Sequence, residues 1–255
     1  MIRWRCHDLF QQMPPGATAG GVAVVIDVLR ASTTIVTALA NGAAAVRPVA
    51  TVEEARTVAG RLGPAAILGG ERGGVRIPGF ELGNSPAEYA ADRVAGRTIV
   101  ITTTNGTAAL AACAAAREVL VGAIVNRAAV AAAARRLAEA AGGAPVHLVC
   151  AGTDGVVTAE DVLAAGAILD AAAGDDDLDP AARAARDAFR RLAAAHRDDL
   201  PAALARAFAV APGGSNLVAL GMAGDLATCA RIDSFDVVPR LGHGEMEMVS
   251  ATKSG

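Results

Sequence analysis

Short apolar runs rich in β-branched residues alternate with helical segments through most of this 255-residue chain. Runs of this kind, bounded by turn or helix-start residues, are typical of strands whose two faces are both buried. We predict strands at 21–27, 43–49, 65–70, 97–103, 118–124 and 145–150. Because β-then-α repeats require crossover connections, the pattern predicts a three-layer α/β/α fold with a largely parallel or mixed sheet.

The length fits a single α/β domain, with a possible division into two lobes near residue 140. Aromatic residues make up only 3% of a chain that is 53% hydrophobic, so Ala, Val, Leu and Ile must build the core. Residues 171–212 are polar and helical in pattern, and we expect residues 241–255 to form a loose tail. The alanine-rich outer helices would suit a homodimer.

Composition excludes several classes of protein. A net charge of −3 argues against a nucleic-acid partner, since such proteins normally carry a basic face. No apolar run reaches the roughly 18 residues of a membrane span. The four cysteines are far apart and lack the spacing of metal ligands, so we expect reduced thiols in a cytoplasmic protein.

Polar and charged residues follow four of the predicted strands. Ligands of parallel α/β sheets bind beyond the carboxyl ends of the strands, so these residues are expected to share one site. Two further acids, Glu160 and Asp161, open the helix after the last of these strands. The four stretches are 27–34, 69–74, 102–107 and 150–155.

These stretches can be interpreted in two ways. Ser32, either Thr104 or Asn105, and Thr158 could simply be N-caps, and Asp27 could form a structural ion pair with Arg30. Alternatively, hydroxyls, arginines and free amides at helix starts could bind an anion. The nearby acids would repel a bare phosphate but not a phosphate accompanied by Mg²⁺. The coincidence of all four stretches favours a site for phosphate and Mg²⁺.

Several known phosphate chemistries are excluded by their motifs. The chain contains no GxxxxGK[ST] and no GxGxxG after a strand. "DVLR" at 27–30 lacks the second aspartate of a phosphoaspartate phosphatase, and "CAGTDGV" at 150–156 lacks the arginine of a cysteine-dependent phosphatase.

Four motifs taken in order carry a resemblance to a known family. They are "VVIDVLRASTTIVTAL" (24–39), "LGGERGGVRIPGFELGNSPAEY" (68–89), "ITTTNGTAAL" (101–110) and "VCAGTDGVVTAEDVLAAG" (149–166). Together they closely resemble the 2-phosphosulfolactate phosphatase (ComB) family. The resemblance implies Mg²⁺-dependent hydrolysis of 2-phospho-3-sulfolactate to sulfolactate and phosphate, a reaction of coenzyme M biosynthesis. The chain departs from the family pattern over 171–212, around 213–215 and after 240.

We assign hypothetical roles to the residues at the strand ends. Asp27, Arg30, Glu71 and Arg72 are the predicted catalytic residues. Asp27, Glu71, Glu160 and Asp161 are the predicted Mg²⁺ ligands. The predicted substrate-binding residues are Ser32, Thr33, Asn84, Thr103, Thr104, Asn105, Gly106, Thr107, Cys150, Gly152 and Thr153.

The mechanism and the substrate stay open at this point. We expect direct attack by a water molecule that the magnesium ion activates; an aspartyl-phosphate on Asp27 is the rival, and Cys150 is a weaker one. The substrate is 2-phospho-3-sulfolactate or a similar small anionic phosphoester, or else another 2-phospho acid or a sugar phosphate. A non-catalytic anion-binding protein is the remaining alternative.

Overall fold

The computed structural model describes residues 1–172, 174 and 176–242, and the backbone of 248–250. The strands are β1 Arg3–His7, β2 Val22–Ile26, β3 Ala45–Pro48, β4 Ala66–Arg72, β5 Val75–Arg76, β6 Thr98–Thr102, β7 Glu118–Gly122, β8 Val146–Cys150, β9 Asp177–Leu178, β10 Pro239–Leu241 and β11 Met248–Ser250. The helices are α1 Ala31–Ala40, α2 Val52–Leu62, α3 Ala91–Val94, α4 Gly106–Ala112, α5 Arg127–Ala140, α6 Ala159–Ala171, α7 Pro180–Ala195, α8 Leu200–Ala209, α9 Pro212–Ala219 and α10 Gly224–Cys229. All six predicted strands are present.

The strands form one mixed sheet in the order β5-β4-β6-β3-β11-β10-β7-β2-β8-β1-β9. β2 lies between β7 and β8 and is parallel to both. β3, β4 and β6 form a second parallel group, which the antiparallel strands β10 and β11 connect to β7. The predicted three-layer α/β/α fold is therefore confirmed, and its sheet is mixed.

Helices cover both faces of the sheet, as the alternation of side chains along β2 shows. Val22, Val24 and Ile26 pack into the apolar cluster that contains residues of α5, α6 and α7. Ala23 and Val25 pack into the opposite cluster, with residues of α1 and α4. Because successive side chains of a strand point to opposite faces, a wholly apolar run such as "VAVVI" belongs in the middle layer of such a fold.

Capping residues in the sequence predict the start of α7 correctly and the helix at 85–93 incorrectly. Pro180 begins α7, and the Asp179 carboxylate caps it by accepting the Ala182 N–H at 2.8 Å. The sequence "SPAEYAADR" at 85–93 predicts one helix with a capping box, but the structure has a 3₁₀ turn at Pro86–Glu88 and then the short α3. The Ser85 hydroxyl makes no cap, because it donates to Asp225 instead.

Five of the described strands lie outside the predicted six, namely β1, β5, β9, β10 and β11. β1 pairs with β8 in parallel. The two-residue β9 pairs with β1 and lies in the acidic turn of the segment 171–212, which the sequence predicts to contain no strand. β10 and the backbone of β11 add to the sheet where we expected a loose tail. Residues 243–247 and 251–255 of that predicted tail lie outside the described residues.

Over the described ranges, no helix combines the length and the apolar character that crossing a membrane requires.

Candidate functional site

Residues from the carboxyl ends of four strands, two from each parallel group of the sheet, line one cleft. Asp27 follows β2, and Glu71 is the last residue but one of β4. Thr104 follows β6, and Thr153 follows β8. The opposite wall comes from the segment after α8 and from the hairpin between β4 and β5. The lining residues are Asp27, Leu29, Arg30, Glu71, Gly73, Gly74, Asn84, Thr104, Thr153, Asp154, Gly213, Asn216 and Leu217.

Asp27 is a buried carboxylate in a negatively charged environment. Burial and the charges of Glu71 and Glu160 raise the pKa of Asp27 to about 7, although the Ala31 N–H and Arg30 act in the opposite direction. The Ala31 N–H donates to Oδ1 at 3.3 Å, and Oδ2 accepts no hydrogen bond from a described residue. An acid in this state is stabilised by a positive charge that approaches its free oxygen.

Glu71 is held in place by the loop that follows β6. Its Oε1 accepts the Thr104 N–H at 2.8 Å, and its Oε2 accepts the Gly74 N–H at 2.7 Å and the Thr104 hydroxyl at 3.2 Å. The carboxylate thus joins the β4–β5 hairpin to the end of β6, and both of its oxygens are already occupied by the protein.

Asp161 makes a similar connection between β2 and β8. Its Oδ1 accepts the Val28 N–H and its Oδ2 accepts the Gly152 N–H, each at 2.9 Å. Asp161 is buried and lies behind the cleft wall, and burial together with the charges of Asp27 and Glu160 raises its pKa well above the usual range.

Glu160 and Asn84 each have a buried acceptor oxygen without a partner. Glu160 Oε2 and Asn84 Oδ1 accept no hydrogen bond from the described part of the chain. Glu160 packs behind the cleft-lining Gly213, where an added Cβ would lie 3.1 Å from Glu160 Oε1. Burial raises the pKa of Glu160. A buried acceptor without a protein partner can take a hydrogen bond from water or from a ligand, or can contact a cation.

Arg30 is the one cationic side chain among the described residues that line the cleft. Its Nη1 donates to Asp225 Oδ2 at 2.7 Å and contacts Met222 Sδ at 3.0 Å, while Nη2 donates to the Gly74 carbonyl at 2.7 Å. The ion pair of Arg30 is therefore with Asp225, and the sequence-based alternative of a pair with Asp27 is wrong.

The threonines after β6 mainly hold the loop together. Thr103 Oγ accepts the Thr107 N–H at 3.2 Å at the start of α4, and the Thr107 hydroxyl donates to the Thr103 carbonyl at 3.0 Å. Thr104 donates to Glu71, as described above. Arg72 donates to the Glu71 carbonyl and to Thr102 Oγ, and its side chain does not line the cleft.

The other predicted site residues lie around the cleft or beneath it. Ser32 Oγ accepts the Asp27 N–H at 2.9 Å, and Gly106 packs against the Asp27 carboxylate. Thr33 and Cys150 are fully buried, with the Thr33 hydroxyl donating to the Val28 carbonyl. Of the proposed N-caps, Ser32 lies inside α1, whose N-cap position is Arg30, while Asn105 before α4 and Thr158 before α6 make no capping hydrogen bond.

Sequence reasoning missed several residues of the site. Asp225 accepts from Arg30 and from the Ser85 hydroxyl, both distant in sequence, and no local pattern marks this set. Asp154, Gly213 and Asn216 line the cleft directly. The sequence could have indicated Asp154, because it lies in the stretch 150–155 that follows β8. From that stretch only Cys150, Gly152 and Thr153 were predicted as site residues.

Comparison with known proteins shows the family to which the chain belongs. The sequence profile of the family described as 2-phosphosulpholactate phosphatase matches residues 8–244. The chain belongs to the 2-phosphosulfolactate phosphatase family. A "Probable 2-phosphosulfolactate phosphatase" of Symbiobacterium thermophilum is 42% identical over 241 residues, which are 92% of this chain and 97% of that protein. A protein of the same name from Deinococcus radiodurans is 43% identical over 88% of this chain and 89% of its own length. Another, from Thermotoga maritima, is 38% identical over 87% of this chain and 89% of its own length.

Membership of the 2-phosphosulfolactate phosphatase family makes this chain a phosphatase, a hydrolase of phosphoric monoesters. The matched region includes every residue that lines the cleft. The cleft at the strand ends, with its acids, its buried arginine and its unpartnered oxygens, is therefore the candidate active site.

Proposed function

We propose that the chain hydrolyses a small anionic phosphomonoester in this cleft, with Mg²⁺ as cofactor. The compound named in its relatives, 2-phospho-3-sulfolactate, is the first proposed substrate. The observation that carries the proposal is the state of Asp27, a buried acid whose pKa is raised to about 7 and whose Oδ2 has no partner among the described residues. Another 2-phospho acid or a sugar phosphate is the alternative substrate.

The donor groups of the cleft fit a magnesium ion. No three His, Cys, Asp or Glu side chains among the described residues stand together as a complete metal site. Mg²⁺ does not need one, since it is usually held by one or two carboxylates together with waters and substrate phosphate oxygens. We assign this role to Asp27 and Glu160, whose Oδ2 and Oε2 are free. Glu71 and Asp161, predicted as further ligands, are proposed instead to brace the site, because backbone amides occupy their oxygens.

The bound ion would supply positive charge at the phosphate oxygens and make an attacking water more acidic. The residues of the chain supply the remaining functions. Arg30 neutralises part of the negative charge that develops in the transition state. Asn84 Oδ1 accepts a hydrogen bond from the substrate or from a water molecule. Thr153 and Gly213 form the wall that brings the ester close to Asp27.

Two routes of attack remain, and the configuration at phosphorus separates them. Direct attack by water is a single in-line displacement, so an ester whose phosphoryl group is chiral through oxygen isotopes releases phosphate of inverted configuration. Attack by Asp27 forms an aspartyl-phosphate that water then cleaves at phosphorus, and the two displacements together retain the configuration. Cys150 is unsuited as the nucleophile, because its buried thiol has a pKa raised well above the ordinary value.

Phosphate release from a panel of phosphoesters tests the proposed function. We expect release from 2-phospho-3-sulfolactate with Mg²⁺, loss of release in EDTA, and recovery on adding Mg²⁺ back. Release from a different ester alone would establish the alternative substrate class. No release from any ester under these conditions would contradict the proposed function.

Gly106→Ala is expected to reduce activity by displacing Asp27. An added Cβ at residue 106 would lie 2.6 Å from Asp27 Oδ2, closer than a real Cβ contact. Misplacing a reacting group by about 1 Å costs on the order of 10²-fold in rate, so kcat/KM should fall by a factor of that order. The matched control is Gly60→Ala in α2, where an added Cβ meets nothing within 4 Å. Equal activity of the two variants would contradict the proposed position of Asp27.

The cellular setting and the assembly are also proposals. The described cysteines are all free and buried, which is compatible with work in a reducing cytoplasm. The alanine-rich outer helices favour a homodimer, and the mass measured by light scattering decides between monomer and dimer.

A further inference from the structure

Arg30 has a fixed orientation, with one edge of its guanidinium bound to the protein. Its two Nη atoms donate to Asp225, to Met222 and to the Gly74 carbonyl, whereas its Nε donates to no described residue. Arg30 is only 3% exposed and lines the cleft. The edge of the guanidinium that remains free is thus the part that can reach an ester in the cleft.

Asp225 is the strongest of these partners, and it is fixed in turn by a third residue. Its Oδ2 accepts from Arg30 at 2.7 Å, and its Oδ1 accepts the Ser85 hydroxyl at 2.6 Å. Both bonds are short, as expected for hydrogen bonds to an ionised group. Asp225 is itself 6% exposed, so little water competes for its oxygens. Ser85, Asp225 and Arg30 therefore form one chain of hydrogen bonds.

This chain connects segments that are distant in sequence and that meet at the cleft. Arg30 and Asp225 are 195 positions apart, and Ser85 and Asp225 are 140 positions apart. Ser85 follows the cleft-lining Asn84, whose carbonyl accepts the Thr34 hydroxyl of α1 at 2.8 Å. A change at Asp225 would therefore be transmitted to Arg30, although Asp225 itself does not line the cleft.

We propose that Asp225, held by Ser85, is the positioning residue that turns the free edge of Arg30 toward the phosphoester. The proposal rests on the proposed function, since it assigns Arg30 to the ester. If Asp225 had only a structural role, it would neutralise the buried charge of Arg30 and nothing more. A substitution of Asp225 would then lower activity only by lowering the amount of folded protein. A positioning Asp225 acts on catalysis through Arg30 alone.

Asp225→Asn keeps the shape of the side chain but weakens its bond to Arg30. We expect kcat/KM to fall about 10- to 100-fold, as for a misplaced transition-state contact. Binding of inorganic phosphate, measured by calorimetry with Mg²⁺ present, should weaken in the same direction. Ser85→Ala leaves the ion pair in place and should give a smaller loss of both. It is also the second variant to use if Asp225→Asn does not fold.

A double-mutant cycle with Arg30→Gln separates positioning from other effects. If Asp225 acts through Arg30, adding Asp225→Asn to Arg30→Gln should change kcat/KM by no more than about twofold. The matched control is Asp233→Asn, which removes a similar pair, with Arg127 at 3.0 Å, outside the cleft. Its kcat/KM and phosphate affinity should equal those of the wild type.

Two results would overturn the proposal. One is wild-type kcat/KM and phosphate affinity in folded Asp225→Asn. The other is an undiminished effect of Asp225→Asn in the Arg30→Gln background. If the wild type hydrolyses no ester, the proposed function fails, while the phosphate affinities of the same variants still decide whether Asp225 positions Arg30.

Discussion

Asp27→Asn is expected to abolish phosphate release while leaving the protein folded. The amide has the same shape, so the hydrogen bond from the Ala31 N–H can be kept, but the negative charge that would hold the metal ion is lost. Removing a charged group from such a site costs on the order of 10³-fold in kcat. Steady-state phosphate release with Mg²⁺ measures this loss.

The control for this substitution is Asp92→Asn, at an exposed position in α3. It changes the net charge by the same amount, so its activity should equal that of the wild type. An Asp27→Asn variant that releases phosphate at the wild-type rate would contradict the role of Asp27 as a metal ligand or nucleophile.

The same substitution should change how stability depends on pH in the absence of metal. The folded-state pKa of Asp27 is about 7, against 3.8 ordinarily, so the folded protein holds this proton more tightly than the unfolded chain. The free energy of unfolding therefore falls as pH rises from about 4 to 7, by about 4 kcal/mol from this group. Asp27→Asn should remove that fall, as urea unfolding in EDTA at pH 5 and pH 8 would show. An equal pH dependence in both proteins would contradict the raised pKa.

Asp161→Asn is expected to cause the largest loss of stability among the acids of the site. The Asp161 carboxylate accepts the N–H groups of Val28 and Gly152, and an amide can accept only one of them through its oxygen. A buried N–H is then left facing an NH₂ group. The free energy of unfolding should fall by about 3 kcal/mol, or roughly 5–10 °C in Tm. Urea and thermal unfolding measure both quantities.

Glu160→Gln is the matched control for Asp161→Asn, at the adjacent position in α6. Glu160 Oε2 has no hydrogen-bond partner among the described residues, so an amide at this position breaks no bond to that atom. Its Tm should equal or exceed that of the wild type. If both variants lose the same stability, the division of the acids into braces and metal ligands is wrong.

The sheet was predictable where a strand is mostly apolar and was missed where charged residues alternate with buried ones or the strand is very short. β2 reads "VAVVI" because both of its faces are buried, which a single sequence shows directly. β1 reads "RWRCH", with Trp4 and Cys6 buried and the residues between them more exposed, and its charged residues obscured that pattern. β9 has only two residues, too few for any period to be visible.

The sequence predicted where the site lies but not which role each of its acids has. The expectation that strand-end residues share one site placed Asp27, Glu71, Thr104 and Thr153 at one cleft, as observed, although their strands belong to two parallel groups joined by antiparallel strands. Which acid is braced and which is free depends on tertiary hydrogen bonds, such as those from Val28 to Asp161 and from Gly74 to Glu71. The pairing of Arg30 with Asp225 could not be predicted either, because Asp225 lies in α10, 195 positions further along the chain.

The most direct test of a metal ion shared by acids and phosphate is ³¹P magnetic resonance with Mn²⁺ in place of Mg²⁺. Inorganic phosphate bound to the wild type or to Asp92→Asn should show a strongly broadened resonance, because the paramagnetic ion lies next to the phosphorus. In Glu160→Gln and Asp27→Asn, the broadening should fall to that of the protein-free solution. Equal broadening in the wild type and both of these variants, or none in the wild type, would contradict a metal held between these two carboxylates and the phosphate.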